Sequence, residues 1–392
     1  MTAIRVLMLT DRFPPDYGGG ARQALNLCEK LVQRGVQTSV ISAYRGAKTI
    51  TDRIGSLEVT RVPQPEQKGF SIPLFYVRLM TQLLRRRGEY DLIHAHALHH
   101  HAYVGFLAGG LLRKPAIGKV AGLGTDDPAS ISHRRLGGVQ LTLLHQATLL
   151  VATNQAMVGE VVGSGWPPER LVCIPNGVDT ERFRPAAGEA RASLRARLEL
   201  PRHAPIMVFT GPVIRGKGIH DLARAWRGVK EKLAQARLLI VGPCTSDEHG
   251  QVDERYVSEV RSILQEGGVA ESVRFVGLVE EPAPYLQASD VFVLPTQREG
   301  MPNSLLEAMA TGLPLVATRI DCIEEMVPPE LRDHLVEVGD ADALARALVA
   351  LGRDLEAGKE LGALGRQRVV RLYSLDAVAD LYVELYRQLL AE

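Results

Sequence analysis

Short runs of β-branched and leucine residues alternate with longer amphipathic stretches along the whole chain. Ile4–Leu9, Thr38–Ser42, Leu92–Ala95, Ile117–Val120 and Leu149–Ala152 read as one set of strands. Ile206–Thr210, Leu238–Val241, Val273–Val276, Val291–Leu294 and Pro314–Ala317 read as a second set. Between them lie helical patterns such as Ala21–Arg34, where Leu25, Leu27, Leu31 and Val32 face roughly one way. Continuously apolar strands separated by helices imply parallel sheets covered on both faces. A stretch holding Trp166-Pro167-Pro168 and Ile174-Pro175-Asn176-Gly177 separates the two sets. The pattern predicts an α/β chain of two Rossmann-like halves with a cleft between them. Such sheets bind ligands beyond the carboxyl ends of their strands, so chemistry is expected in the loops that follow strands.

The length of 392 residues suits two domains, and 46% hydrophobic with 23% charged residues excludes disorder as the main state. Lysine and arginine total 46 against 45 acids, a balance that argues against a dedicated nucleic-acid binder. Cys28, Cys173, Cys244 and Cys322 lie far apart without metal-ligand spacing, which predicts a reduced, cytoplasmic protein. The longest apolar run, Ala102 to Leu112, is too short to span a bilayer, and the amino terminus runs into a strand without a charged leader. One segment bears on membranes. Ser71–Tyr90 combines Ile72, Leu74, Phe75, Val77, Leu79, Met80, Leu83 and Leu84 with Arg78, Arg85, Arg86 and Arg87. It reads as a core-facing helix with arginines in water, or as a peripheral contact with the inner membrane face.

Four loops carry candidate chemistry. The first, Arg12 to Gly20, ends in three glycines before a helix, where backbone N–H groups can approach a phosphate or sugar. Its glycines follow two prolines, so the dinucleotide pattern is absent. The second, Asp91 to His101, contains five histidines in eight residues, but acids and cysteines that would complete a metal site are lacking. His96, at a strand end, reads as a neutral hydrogen-bonding group for a substrate. The third, Thr210 to Gly218, sets Arg215 and Lys217 among Gly211, Gly216 and Gly218, which suits a diphosphate or a solvated basic turn. The fourth runs from Arg298 to Pro314. Pro302 and Asn303 start a helix whose amides at Asn303, Ser304 and Leu305 should point at an anion. Glu307 lies about one turn further on, able to accept from a diol, and Glu299 precedes the helix. A cap with a surface acid is the alternative.

With these residues in hand, the chain resembles the retaining GT-B glycosyltransferases of family 4 over essentially its whole length. The resemblance is carried by the loop ending in Gly18-Gly19, by His94-Ala95-His96, and by Ile174-Pro175-Asn176-Gly177-Val178-Asp179. The Lys217 loop and the Glu299-x7-Glu307 motif with Glu299-Gly300-Met301-Pro302-Asn303-Ser304 complete it. It implies transfer of a sugar from a nucleotide diphosphate-sugar, UDP being the commonest, with the α configuration kept. It implies an acceptor-side domain over 1–178, a donor domain over 179–373, and a final helix over 374–392 crossing back onto the first. The implied donor-binding set is Gly19, Gly211, Lys217, Glu299, Gly300, Met301, Asn303, Ser304, Leu305 and Glu307. Lys217 would grip the diphosphate, Glu307 the ribose, and Glu299 the sugar as a binding group. His96 would reach the sugar from the first domain, and a hinge would lie near Asn176–Asp179. No cofactor, divalent metal or nucleic acid is implied; the acceptor, a sugar, lipid-linked or small molecule, stays open. Two departures stand out. Ala21 replaces an acid after the glycine loop, and Pro212 replaces the arginine expected beside Gly211. Arg215 is therefore expected to supply the second cation. A nucleotide-sugar epimerase and a non-catalytic nucleotide-sugar-binding subunit remain as alternatives.

Overall fold

A computed structural model describes residues 3–16, 18–64, 71–122, 124, 126–248 and 250–391. Tyr17 of the glycine loop lies outside the described residues. The chain divides into two compact units, Met1–Gly177 with Leu375–Glu392, and Val178–Ser374. Each crossing falls one residue from the boundary drawn on the sequence.

The first unit is built on eight strands: β1 (Arg5–Thr10), β2 (Gln37–Tyr44), β3 (Ile50–Ile54), β4 (Leu57–Pro63), β5 (Leu92–His96), β6 (Ala116–Lys119), β7 (Leu149–Ala152) and β8 (Leu171–Cys173). Their order is β3-β4-β2-β1-β5-β6-β7-β8, parallel except for β3 against β4. The helices are α1 (Gly19–Gln33), α2 (Ser71–Arg85), α3 (His100–Leu112), α4 (Pro128–Ser132), α5 (Gly137–Leu144) and α6 (Gln155–Gly163). Val6 to Leu9 are each at most 1% exposed, which is why β1 is apolar without alternation: helices cover both faces. The strand pattern missed β3, β4 and β8. β3 is polar at its centre and lies at the sheet edge, β4 mixes polar residues into its apolar run, and β8 has only three residues.

α2 divides the apolar stripe read from the sequence. Phe75, Leu79 and Leu83 enter the core, whereas Leu74, Val77 and Leu84 stay exposed at 46%, 63% and 38%. Arg86 is spent on Glu58 (2.8 Å) and Glu89 (2.7 Å).

The second unit has six strands: β9 (Ile206–Thr210), β10 (Arg237–Val241), β11 (Val273–Gly277), β12 (Val291–Leu294), β13 (Leu315–Thr318) and β14 (Leu335–Val336). They are parallel in the order β11-β10-β9-β12-β13-β14. Its helices are α7 (Gly188–Arg197), α8 (Ile219–Lys232), α9 (Glu254–Glu266), α10 (Ala283–Ala288), α11 (Asn303–Ala310), α12 (Asp321–Met326), α13 (Ala341–Arg353) and α14 (Leu355–Leu372). Asp340 and Asp354 cap α13 and α14 by accepting from the amides of Ala343 (2.8 Å) and Ala357 (3.0 Å). β14, of two residues, left no periodic signal in the sequence.

α15 (Leu375–Ala391) returns to the first unit. Its Val378, Ala379, Tyr382 and Tyr386 share one buried cluster with Ala24, Leu27, Cys28 and Leu31 of α1. The Tyr386 hydroxyl lies 2.7 Å from His94 Nδ1 on β5.

Candidate functional site

Each sheet reverses its strand order at one place, and that is where a parallel sheet opens a crevice for ligands. In the second unit the reversal lies between β9 and β12. The loop after β9 carries Gly211 to Gly218, with a 3-10 turn over Arg215–Lys217; the loop after β12 carries Thr296 to Gly300. The two are laced together. Gln297 N donates to Gly216 O (2.9 Å), and Thr296 Oγ1 donates to the same carbonyl (3.0 Å). Gly218 is obligatory: φ is +68°, and an added Cβ would fall 1.8 Å from Pro295 O. Gly242, after β10, stands as close to Gly211, where a Cβ would lie 2.2 Å from the Gly211 carbonyl oxygen.

This lacing sets Lys217 against Glu299, Nζ to Oε1 at 2.5 Å, with side chains 21% and 11% exposed. The Glu299 carbonyl accepts from Cys322 Sγ at 3.6 Å, and Cys322 is no reactive thiol, because burial and then the Glu299 charge push it up to about 12. α11 starts directly after this loop, with Pro302, which makes no side-chain hydrogen bond, at its cap. Ser304 presents its amide at this helix end, and Glu307 follows one turn along, half-buried. Gly300, Met301 and Asn303 lie on the same segment, with Met301 buried.

Two expected donor groups differ in detail. The Leu305 amide is not open to an anion: it donates to Pro302 O at 3.2 Å, because the helix begins with a tight three-residue turn. Arg215 is engaged by α9. Its guanidinium meets both Glu259 oxygens at 3.1 Å and lies 4.9 Å from the Tyr256 ring centroid, 61% exposed. Glu259 and Tyr256, three apart on α9, face it together as carboxylate and ring.

In the first unit the reversal lies between β1 and β5. The glycine loop follows β1, and Gly19 opens α1. His96 ends β5, 3% exposed; burial and then the Lys119 charge hold it well below the usual histidine range, so it is neutral. Its Nδ1 has no hydrogen-bond partner among the described residues. His99 is different. Its Nδ1 lies 2.8 Å from Asp11 Oδ2, and this contact outweighs burial to raise the imidazole while Asp11 is lowered despite its own burial. His100 and His101 begin α3. Among the described residues no group of three His, Cys, Asp or Glu side chains is arranged to hold a metal.

Sequence reasoning missed three groups here. Asp11, directly after β1, anchors His99. Asp126 accepts from the amides of Leu98 (3.1 Å), Ala121 (3.0 Å) and Gly122 (2.7 Å), fixing the loops after β5 and β6. Lys119 ends β6, only 3% exposed, and donates to Asn176 Oδ1 at 2.7 Å. A lysine closing an apolar strand was its visible signal.

Comparison with known proteins joins both units to one class. A sequence profile described as Glycosyltransferase Family 4 matches residues 17–182, and one described as Glycosyl transferases group 1 matches residues 204–354. The lipopolysaccharide core biosynthesis glycosyltransferase LpsE of Rhizobium meliloti is 26% identical over 94% of this chain and 95% of its own. A D-inositol 3-phosphate glycosyltransferase of Salinispora tropica is 30% identical over 80% of this chain and 67% of its own. Among solved structures, Anabaena Alr3699/HepE in complex with UDP-glucose superposes with a TM-score of 0.79, at 18% identity, over 98% of this chain and 100% of the other. The two-sheet architecture is the GT-B fold.

Proposed function

We propose, for a chain that belongs to the group 1, family 4 glycosyltransferases and uses a nucleotide-sugar donor, a UDP-sugar as donor and retention of the α configuration in transfer. The observation that carries this reading is the Lys217–Glu299 pair at the strand-order reversal beside the start of α11. A cation and a helix N-terminus at one crevice suit a diphosphate. A diphosphate bound there would compete with Glu299 for Lys217 and free the carboxylate to accept from donor-sugar hydroxyls. Glu307 would take the ribose diol. The UDP-glucose complex of the Anabaena protein supports the choice of nucleotide.

Bond cleavage builds negative charge on the departing diphosphate, and preorganised donors stabilise it most in the transition state. Lys217 and the α11 amides meet that charge without a metal. In this reading Arg215 adds a second cation after leaving Glu259, in place of the arginine that Pro212 displaces. A departing phosphate oxygen can take the acceptor proton on the same face, so Glu299 binds and does not act as nucleophile. In the first unit, neutral His96 would hydrogen-bond the sugar, and Gly19 would allow close approach.

We place the enzyme in the cytoplasm, because its four cysteines lie far apart in sequence, which suits a reducing compartment. No helix of the described residues is long and apolar enough to cross a membrane. The exposed Leu74, Val77 and Leu84 with Arg78, Arg85 and Arg87 on and beside α2 support peripheral contact with an anionic bilayer. Vesicles of phosphatidylglycerol should co-sediment the chain, and neutralising Arg85 and Arg87 should release it; binding unaffected by that change contradicts the electrostatic contact. The donor is tested by thermal shift with UDP-, GDP- and ADP-glucose. A ligand at 100 times its Kd stabilises by about 2.7 kcal/mol, so a UDP-sugar should stand apart, and a larger shift with another nucleotide overturns the choice.

A further inference from the structure

Lys119 stands in register with His96 across the β5–β6 pair, at the carboxyl end of the sheet. A methionine would fill the same buried space without taking a charge out of water, so stability alone does not account for a lysine. The groups facing it are few. From β5 come His94 and His96, both held neutral by burial, His94 at about 3. From the loop after β6 comes Asp126, whose carboxylate is taken up by three backbone amides. Among the described residues no carboxylate touches the ammonium; its hydrogen bond goes to Asn176. Asn176 and Gly177 are the last residues of the chain before it leaves this unit. Gly177 O accepts from Gln23 Nε2 of α1 at 2.8 Å, and a Cβ on Gly177 would lie 2.8 Å from Leu375 Cδ2 of α15. The exit is thus held from α1, from α15 and, beside His96, from Lys119.

We propose that Lys119 is a positioning residue for sugar transfer, its ammonium tying Asn176 and the exit of the chain to the strand end that carries His96. The proposal rests on the transferase reading and on His96 as the group facing the sugar. Burial pushes the ammonium down to about 7, against the pull of Asp126. With a folded value below the unfolded one, the charged form is disfavoured by folding. That cost is complete below about pH 7 and fades as pH rises toward about 10.4, the free lysine value. A lysine kept for packing would lower stability and activity together when replaced. A positioning lysine separates the two.

The test uses full-length Lys119→Met and Asn176→Asp, with UDP release from UDP-glucose, water taking the glucosyl group, and Tm followed across pH. Lys119→Met should melt at or above wild type below about pH 7, the margin shrinking toward alkaline pH. Its kcat should fall about tenfold or more with KM little changed. Wild-type turnover should decline above about pH 7. Asn176→Asp, which sets a carboxylate against the ammonium, should move that decline upward by about one pH unit. Wild-type turnover in Lys119→Met, or an unmoved alkaline limb in Asn176→Asp, overturns the proposal. A wild-type chain that neither binds nor consumes UDP-, GDP- or ADP-glucose contradicts the transferase reading instead, and is told apart because all three proteins are then equally inert.

Discussion

At the scale of single residues, the proposed donor crevice turns on which charges face each other. Replacing Lys217 with Ala should lower turnover roughly 10²–10³-fold, the loss expected for one oxyanion-type donor. Arg215→Ala should match it if Arg215 leaves Glu259 to meet the diphosphate, and Glu259→Gln should then raise turnover by releasing it. Robust activity in Arg215→Ala beside an inert Lys217→Ala would show that one cation suffices. Gly218→Ala should cost more than the ~1–3 kcal/mol of a strained backbone state, since its Cβ would also strike Pro295 O; urea denaturation measures it. The His99–Asp11 pair predicts a pH window. The raised histidine contributes stability below its unfolded value and loses it as pH rises; the lowered aspartate contributes above its unfolded value and loses it as pH falls. Asp11→Asn should therefore cost most between about pH 4 and 6.5 and least outside that window, read from Tm against pH. Lys217, Glu299 and the α11 start were legible because residue type and loop position coincide. The Arg215–Glu259 pair was not, since the two residues lie 44 apart in sequence.

At the scale of elements, periodicity marked the long apolar strands but not the polar hairpin or the shortest strands. Ten strands were readable, most of them because burial on both faces leaves unbroken Val, Leu and Ile runs. β3 and β4 form an antiparallel edge hairpin interrupted by polar residues, and β8 and β14 are too short for any pattern. α15 shows what a helix adds beyond its apolar face. Tyr386 gives buried His94 its one described hydrogen bond, the other ring nitrogen having no partner among the described residues. Tyr386→Phe should therefore destabilise the chain by about 1–3 kcal/mol, the cost of leaving a buried polar group unpaired. An unchanged denaturation midpoint would show that α15 is held by packing alone. The exposed pairs of Lys30 and Arg34 with Asp376 and Asp380 should contribute little by comparison.

At the scale of the whole molecule, two Rossmann-like units and the family were readable because spaced motifs fall after successive strands in both halves. Asp126 and Lys119 were not, since their partners lie on strands and loops brought together only by the sheet. In the proposed function a nucleotide diphosphate is held by Lys217 while Glu299 serves the sugar. Isothermal titration of UDP into wild type, Lys217→Ala and Glu299→Ala reads this directly. Loss of Lys217 should weaken UDP by about 1.5–3 kcal/mol, roughly 10- to 150-fold, as for a hydrogen bond to a charged group. Glu299→Ala should bind UDP at least as tightly as wild type, because the carboxylate that competes for Lys217 is gone. UDP affinity indifferent to Lys217→Ala, or lost equally in Glu299→Ala, would contradict the account.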